Sequence, residues 1–174
     1  MEITLYDVSV RTYLQGLNAM RQILEKGEEQ ARQGALNLND IVECRLRDDM
    51  APFRFQLVSV WHHSLGAVRG LKTGTFSPPP SLGDLDYDQL KGLIDEAITE
   101  LSSESVNTIN ALAGKPLLFK VGDREIPFVS NNFILSFSVP NFNFHATTAY
   151  DMLRMQGVPL GKMDYLGALR TGGE

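Results

Sequence analysis

Pro140-Asn141-Phe142-Asn143-Phe144-His145-Ala146-Thr147-Thr148-Ala149-Tyr150-Asp151-Met152-Leu153-Arg154-Met155-Gln156-Gly157 is the stretch on which the fold turns. It opens on a proline, whose missing N–H costs nothing in a first helical turn, and it stops at a glycine with Pro159 just beyond. At about 100° per residue, Phe142, Ala149, Met152, Leu153 and Gln156 fall within about 80° of His145, with Asp151 and Arg154 outside. The spacing predicts an amphipathic helix over Pro140 to Gln156 with His145 in the middle of its inner face and Thr148 flanking it. A buried imidazole needs a partner for at least one ring nitrogen, and its pKa can be tuned for proton transfer. His145 is therefore the first candidate site residue.

Working outward, a second long helix is expected from Pro52 to about Leu71, with Asp48 or Asp49 suited to its cap. Phe53, Leu57, Val60, Ser64 and Leu71 share one face, whose centre lies about 80° from Gln56 and about 100° from His63. Asp49, Gln56 and His63 are seven apart and form a row along the edge of that face. His62 points away and reads as a surface residue. A first helix runs from about Tyr6 to Arg32, carrying Val10, Tyr13, Leu14, Leu17, Met20 and Leu24 at helical spacing. Asn39 is placed to cap a short helix through Leu46. The third long helix starts at Asp86, whose spacing to Gln89 is that of a capping box, and it breaks near Ser102 and Ser103 on the way to Leu112. Lys72 to Gly83, with Pro78, Pro79 and Pro80, reads as a stiff crossover loop. Lys115 to Phe128 alternates around Gly122-Asp123 and reads as a β-hairpin, after which the chain turns helical again. Val158 to Leu169 reads as an irregular tail folded back, and Arg170 to Glu174 as a fraying end. The whole is an all-α four-helix bundle, one domain over 1–174, with a long crossover and a hairpin before the last helix.

The 174-residue chain of 19.3 kDa has 16 Lys and Arg against 21 Asp and Glu, a net charge of −5. That balance argues against binding a phosphate backbone. One cysteine, Cys44, leaves no intramolecular disulfide and reads as an inert thiol. Met1-Glu2-Ile3-Thr4 shows no secretory leader, so a cytoplasmic location is expected. Ile126 to Tyr150 lacks Asp, Glu, Lys and Arg, yet its prolines, serines, asparagines and histidine make it too polar for a membrane span.

Pro140 to Tyr150, with Leu153-Arg154, Gly157-Val158-Pro159-Leu160-Gly161-Lys162 and Asp164-Tyr165-Leu166-Gly167, closely resembles the signature of an uncharacterised family of bacterial and fungal proteins. That family is a domain of unknown function similar to the DinB-like four-helix-bundle superfamily, and Arg45-Leu46, Asp49-Met50, Pro52 and Gln56 resemble its second signature. The resemblance implies a bundle in up-down-down-up arrangement, often dimeric. It also implies that some relatives are metal-dependent thiol transferases or isomerases, holding a divalent ion with a histidine on the second helix and an H-x-x-x-H pair on the fourth. Here His63 matches the first position and His145 one of the pair, but the position four beyond His145 is Ala149.

Three functional expectations follow. The first is a small-molecule-binding bundle acting as a metal- and cofactor-independent enzyme of isomerase, lyase or cyclase type on an apolar substrate. His145 would be its general acid or base, and His63 or Asp49 a second proton-transfer group. Gln56 and Thr148 would orient the substrate, with Phe142, Met152 and Val60 lining its cavity. The second is a metal-dependent DinB-like thiol transferase or hydrolase. The third is a non-catalytic binding or stress-related protein. No phosphate-cradling glycine loop or nucleophile elbow is present, so no nucleotide cofactor is expected. Neither nucleic acid nor membrane is an expected partner, and a homodimer is. Trp61, Phe133, Phe137, Phe142 and Phe144 read as core packing, with a pocket for a flat ligand as the alternative. Lys162 and Asp164 read as tail anchors.

Overall fold

Four helical rods carry a small sheet at one end in the computed structural model, which describes residues 2–172 and is 63% helical. Gly173 and Glu174, part of the end expected to fray, lie outside the described residues. The first rod is a π-turn, Asp7–Arg11, running into α1, Thr12–Arg32. Tyr13, Leu17, Met20 and Leu24 recur on its buried face at the spacing of a core-facing helix. The short helix α2, Leu38–Glu43, is capped by Asn37, whose side chain accepts the Asn39 N–H, rather than by Asn39. It stops at Cys44, whose extended backbone cannot continue a helix as far as Leu46.

The second rod comprises α3, Phe53–Trp61, a π-turn, His62–Gly66, and α4, Ala67–Thr73. Pro52 supplies the N-cap position without a side-chain cap, and Asp49 pairs with Arg47 at 3.3 Å instead of capping the helix. The third rod is α5, Tyr87–Ser102, with both halves of the Asp86–Gln89 capping box in place, followed by α6, Val106–Asn110. The fourth is one continuous helical run: α7, Ser130–Phe133, a π-turn, Ile134–Ser138, and α8, Val139–Met155. Gly157, at φ 88°, takes the left-handed turn that ends this rod. The tail is not wholly irregular, since α9, Lys162–Leu166, packs on α1. Asp164 holds it there, accepting from Lys26 Nζ at 2.7 Å and from the Gly161 N–H at 2.7 Å.

Packing places α1 against α5 and α8, and α3 against the same two helices, so the rods form a ring in the order first, third, second, fourth. The hairpin strands are β2, Pro116–Val121, and β3, Arg124–Val129, but the crossover contributes a strand as well. Thr75–Phe76, β1, pairs parallel to β2, giving the order β1-β2-β3. This strand was not legible in a proline-rich loop, and it carries Phe76 into the interior. Among the described residues, no helix is long and apolar enough to cross a membrane.

Candidate functional site

Three of the polar side chains singled out from the sequence meet at one level of the bundle. Gln56 on α3 is buried; its Nε2 donates to the Ala51 carbonyl at 2.9 Å. A carbonyl only accepts, so this contact fixes the amide orientation and turns Oε1 toward the fourth rod. There it lies 2.7 Å from Nδ1 of His145 on α8. His145 therefore carries its proton on Nδ1 and leaves Nε2 as a bare lone pair.

His63, in the π-turn of the second rod, lies beside it, with ring centroids 6.1 Å apart and planes 15° from parallel. Its Nδ1 is sealed from solvent with no partner among the described residues, a cost of about 1–3 kcal/mol that the fold tolerates here. No described residue hydrogen-bonds Nε2 of either ring, and neither atom is a buried orphan, so both face space that water can enter. Burial pushes the His63 pKa down to about 3, helped by the neighbouring His62 and His145, and the His145 pKa down to about 4. Both imidazoles are neutral at physiological pH.

His62 is not the surface residue that the helical wheel predicts; only 8% of it is exposed. The wheel counts rods alone, whereas the face it leaves outward is covered by the crossover. His62 Nε2 donates to the Ser77 carbonyl at 2.7 Å, and its ring stacks on Phe76 with centroids 4.5 Å apart. Gly66 makes room for it, since a Cβ there would meet His62 Nδ1 at 2.7 Å. Phe76 and Phe137 complete the wall around His63, at 5.6 and 5.5 Å. Two π-turns touch at this level, where Ser138 Oγ donates to the His63 backbone carbonyl at 2.8 Å and accepts from Tyr13 Oη at 2.9 Å. Such turns recur at functional sites because they re-aim side chains within a helix.

The remaining candidates lie elsewhere. Asp49 has a side chain 77% exposed and faces solvent with Arg47, away from both imidazoles. Thr148 is buried, but its hydroxyl donates to the Phe144 carbonyl of its own helix at 2.8 Å. Val60 and Met152 are packed core. Phe142 packs on Tyr13 at 5.3 Å and borders a separate cleft of about 170 Å³ between α1, α8 and α9. His145 itself is half-buried and turned toward α3, while Phe142 and Ala146 take the core positions expected of its face. Phe144, expected in the core, is 58% exposed. It meets the His145 ring at 5.2 Å, and Phe55, which the sequence reading passed over, meets it at 5.8 Å.

A divalent ion of the kind the resemblance implies needs three or more convergent donors. The two open imidazole nitrogens fall short: His62 Nε2 is committed to Ser77, and no group of three His, Cys, Asp or Glu suited to an ion occurs among the described residues. The donor set does not fit the ion.

No curated protein matches the chain. Among solved structures, a DinB family member protein from Shewanella denitrificans is similar over 98% of this chain and 96% of that one, at 24% identity and a TM-score of 0.79. The bundle described above is thus a DinB-like fold, and the match of residues 5–166 shows that the chain belongs to the family DUF1993, Domain of unknown function.

Proposed function

We propose that this chain is a small-molecule-binding bundle in which His145 serves as a neutral proton acceptor, with His63 beside it as a second transfer group. The observation that carries the reading is the relay from the Ala51 carbonyl through Gln56 to His145 Nδ1–H. It fixes the tautomer and aims an uncommitted Nε2 at open space, as a general base requires. A proton arriving on Nε2 would make an imidazolium whose Nδ1–H is already held by an amide oxygen. Isomerisation, dehydration or cyclisation of an apolar substrate suits a neutral imidazole, since the proton that His145 Nε2 takes from one atom is returned by the same imidazolium at another. No step in this scheme runs through a metal.

One observation favours a non-catalytic binding role as the second reading. The clefts among the described residues that are walled by Phe142 and Tyr165, by Phe55 and Pro79, and by Leu14 and Gly167 all exclude both imidazoles from their linings. A library of uncharged small molecules, screened by the ring resonances of His145 and His63, separates the readings. Hits that move the His145 resonances, and that the folded protein turns over in a manner lost in His145→Gln, support catalysis. Hits unchanged by the protein and by that substitution refute it.

A further inference from the structure

Nine phenylalanines, five tyrosines and one tryptophan occur in the chain, and only Phe55 and Phe144 among them are exposed, by 42% and 58%. They stand on different rods, α3 and α8, yet both reach the same imidazole, edge-on to His145 at interplanar angles of 71° and 82°. Neither ring is needed to fill the core, and each forgoes roughly half of the about 1.5–3 kcal/mol that full burial would bring. Single exposed apolar residues are ordinary, but two converging on a half-open imidazole with a bare lone pair are an arrangement that packing alone does not require.

The chemistry of that surface is restrictive. Among the described residues, His145 and His63 take part in no ion pair, and the only polar partner of His145 is a neutral amide. A charged group placed on Nε2 would lose its hydration without gaining a counter-charge. Nε2 accepts and cannot donate, so the ligand must bring the donor. Two phenyl rings favour an aromatic partner, which gains from edge and face contacts beyond plain burial.

We propose that the ligand is a flat, uncharged aromatic molecule with one O–H or N–H donor, its ring against Phe55 and Phe144 and its donor on His145 Nε2. This rests on His145 as proton acceptor and names the ligand class for that same site. An aromatic carboxylate is the competing class, because the cleft beyond Phe55 also holds Arg45 and Arg54.

The test titrates the full chain with naphthol, its methyl ether and naphthoate at neutral pH, by calorimetry and by the ring resonances of His145. Naphthol is expected to bind about tenfold tighter than the ether, which lacks the donor. Phe55→Ala and Phe144→Ala, both at exposed positions that leave the core intact, should each weaken naphthol about tenfold. Naphthoate as the tightest probe overturns the proposal, as does absence of naphthol binding up to its solubility. Sedimentation showing a dimer that these two substitutions dissociate also overturns it, since a second copy would then cover the rings. Loss of binding in the phenylalanine variants but not in His145→Phe, which keeps a ring and has no acceptor, refutes the proton acceptor and leaves the aromatic class standing. The converse refutes the aromatic class and leaves His145 as the acceptor.

Discussion

Mild acid should destabilise this protein through its histidines before its carboxylates take part. A histidine in the unfolded chain titrates near 6.5, whereas burial holds His63 at about 3 and His145 at about 4 in the fold. Between those values the unfolded state binds protons that the native state refuses, so stability rises with pH there. The stabilisation is full above about pH 6.5 and is lost as pH falls toward the folded values. At about pH 5 the unfolded imidazole is almost wholly charged and the native one almost wholly neutral. Each ring then costs about 1.5 logarithmic units, or roughly 2 kcal/mol, and the pair about 4 kcal/mol. Both folded values lie well below that pH, so the figure depends little on either. His62, also pushed down by burial, adds in the same direction. Asp7 and Asp164, held low by their hydrogen bonds to Thr4 and Lys26, give up their stabilisation only below about pH 4 and leave the window clear. A loss near 4 kcal/mol is a large share of the 5–15 kcal/mol typical of a domain. The assay is urea unfolding between about pH 7.5 and pH 5, followed by the fluorescence of Trp61, the one tryptophan, buried and bonded to Glu96. His63→Gln and His145→Gln should each remove about 2 kcal/mol of this loss, half of what the two rings supply together. A stability that stays flat across this window would show that the rings are charged or solvated in the native state, and the reasoning from burial would fall.

Gln56→Glu places a carboxylate against His145 Nδ1–H and removes the donor to Ala51; the His145 pKa should rise by at least a unit, read from its ring-nitrogen shifts against pH. Tyr13→Phe deletes the buried hydroxyl bonded to Ser138 while Ser138 keeps its bond to His63, so a loss of about 1 kcal/mol in denaturant unfolding is expected. Asp86→Ala opens the capping box of α5 at an exposed site and should cost about 1 kcal/mol by the same assay, with the ring shifts of His145 unmoved.

The bundle was legible because its signals are local. Apolar spacing in the first and third rods, the Asp86 and Gln89 pair, and the stop at Gly157 each act within a few residues of chain, and each appears in the structure where its spacing puts it. Gln56 and His145 were legible one at a time as residues near an inner face, but their hydrogen bond spans 89 positions and no periodicity encodes it. His62 was misread for a related reason. A wheel assigns inside and outside relative to the other rods, and the group that buries His62 is Phe76, on a two-residue strand set in a proline-rich loop. A strand that short has no period to detect; it forms because β2 offers it an edge. The π-turns were hidden too, since each shifts the face of a rod by a residue while leaving its composition unchanged. Phe144 shows the limit most plainly. Its neighbours Phe142 and His145 belong to the inner side of α8, and nothing in the sequence says that a phenylalanine between them faces solvent. Hydrophobicity records what a residue prefers, and the departure of Phe55 and Phe144 from that preference, both beside the same imidazole, is visible only once the chain has folded.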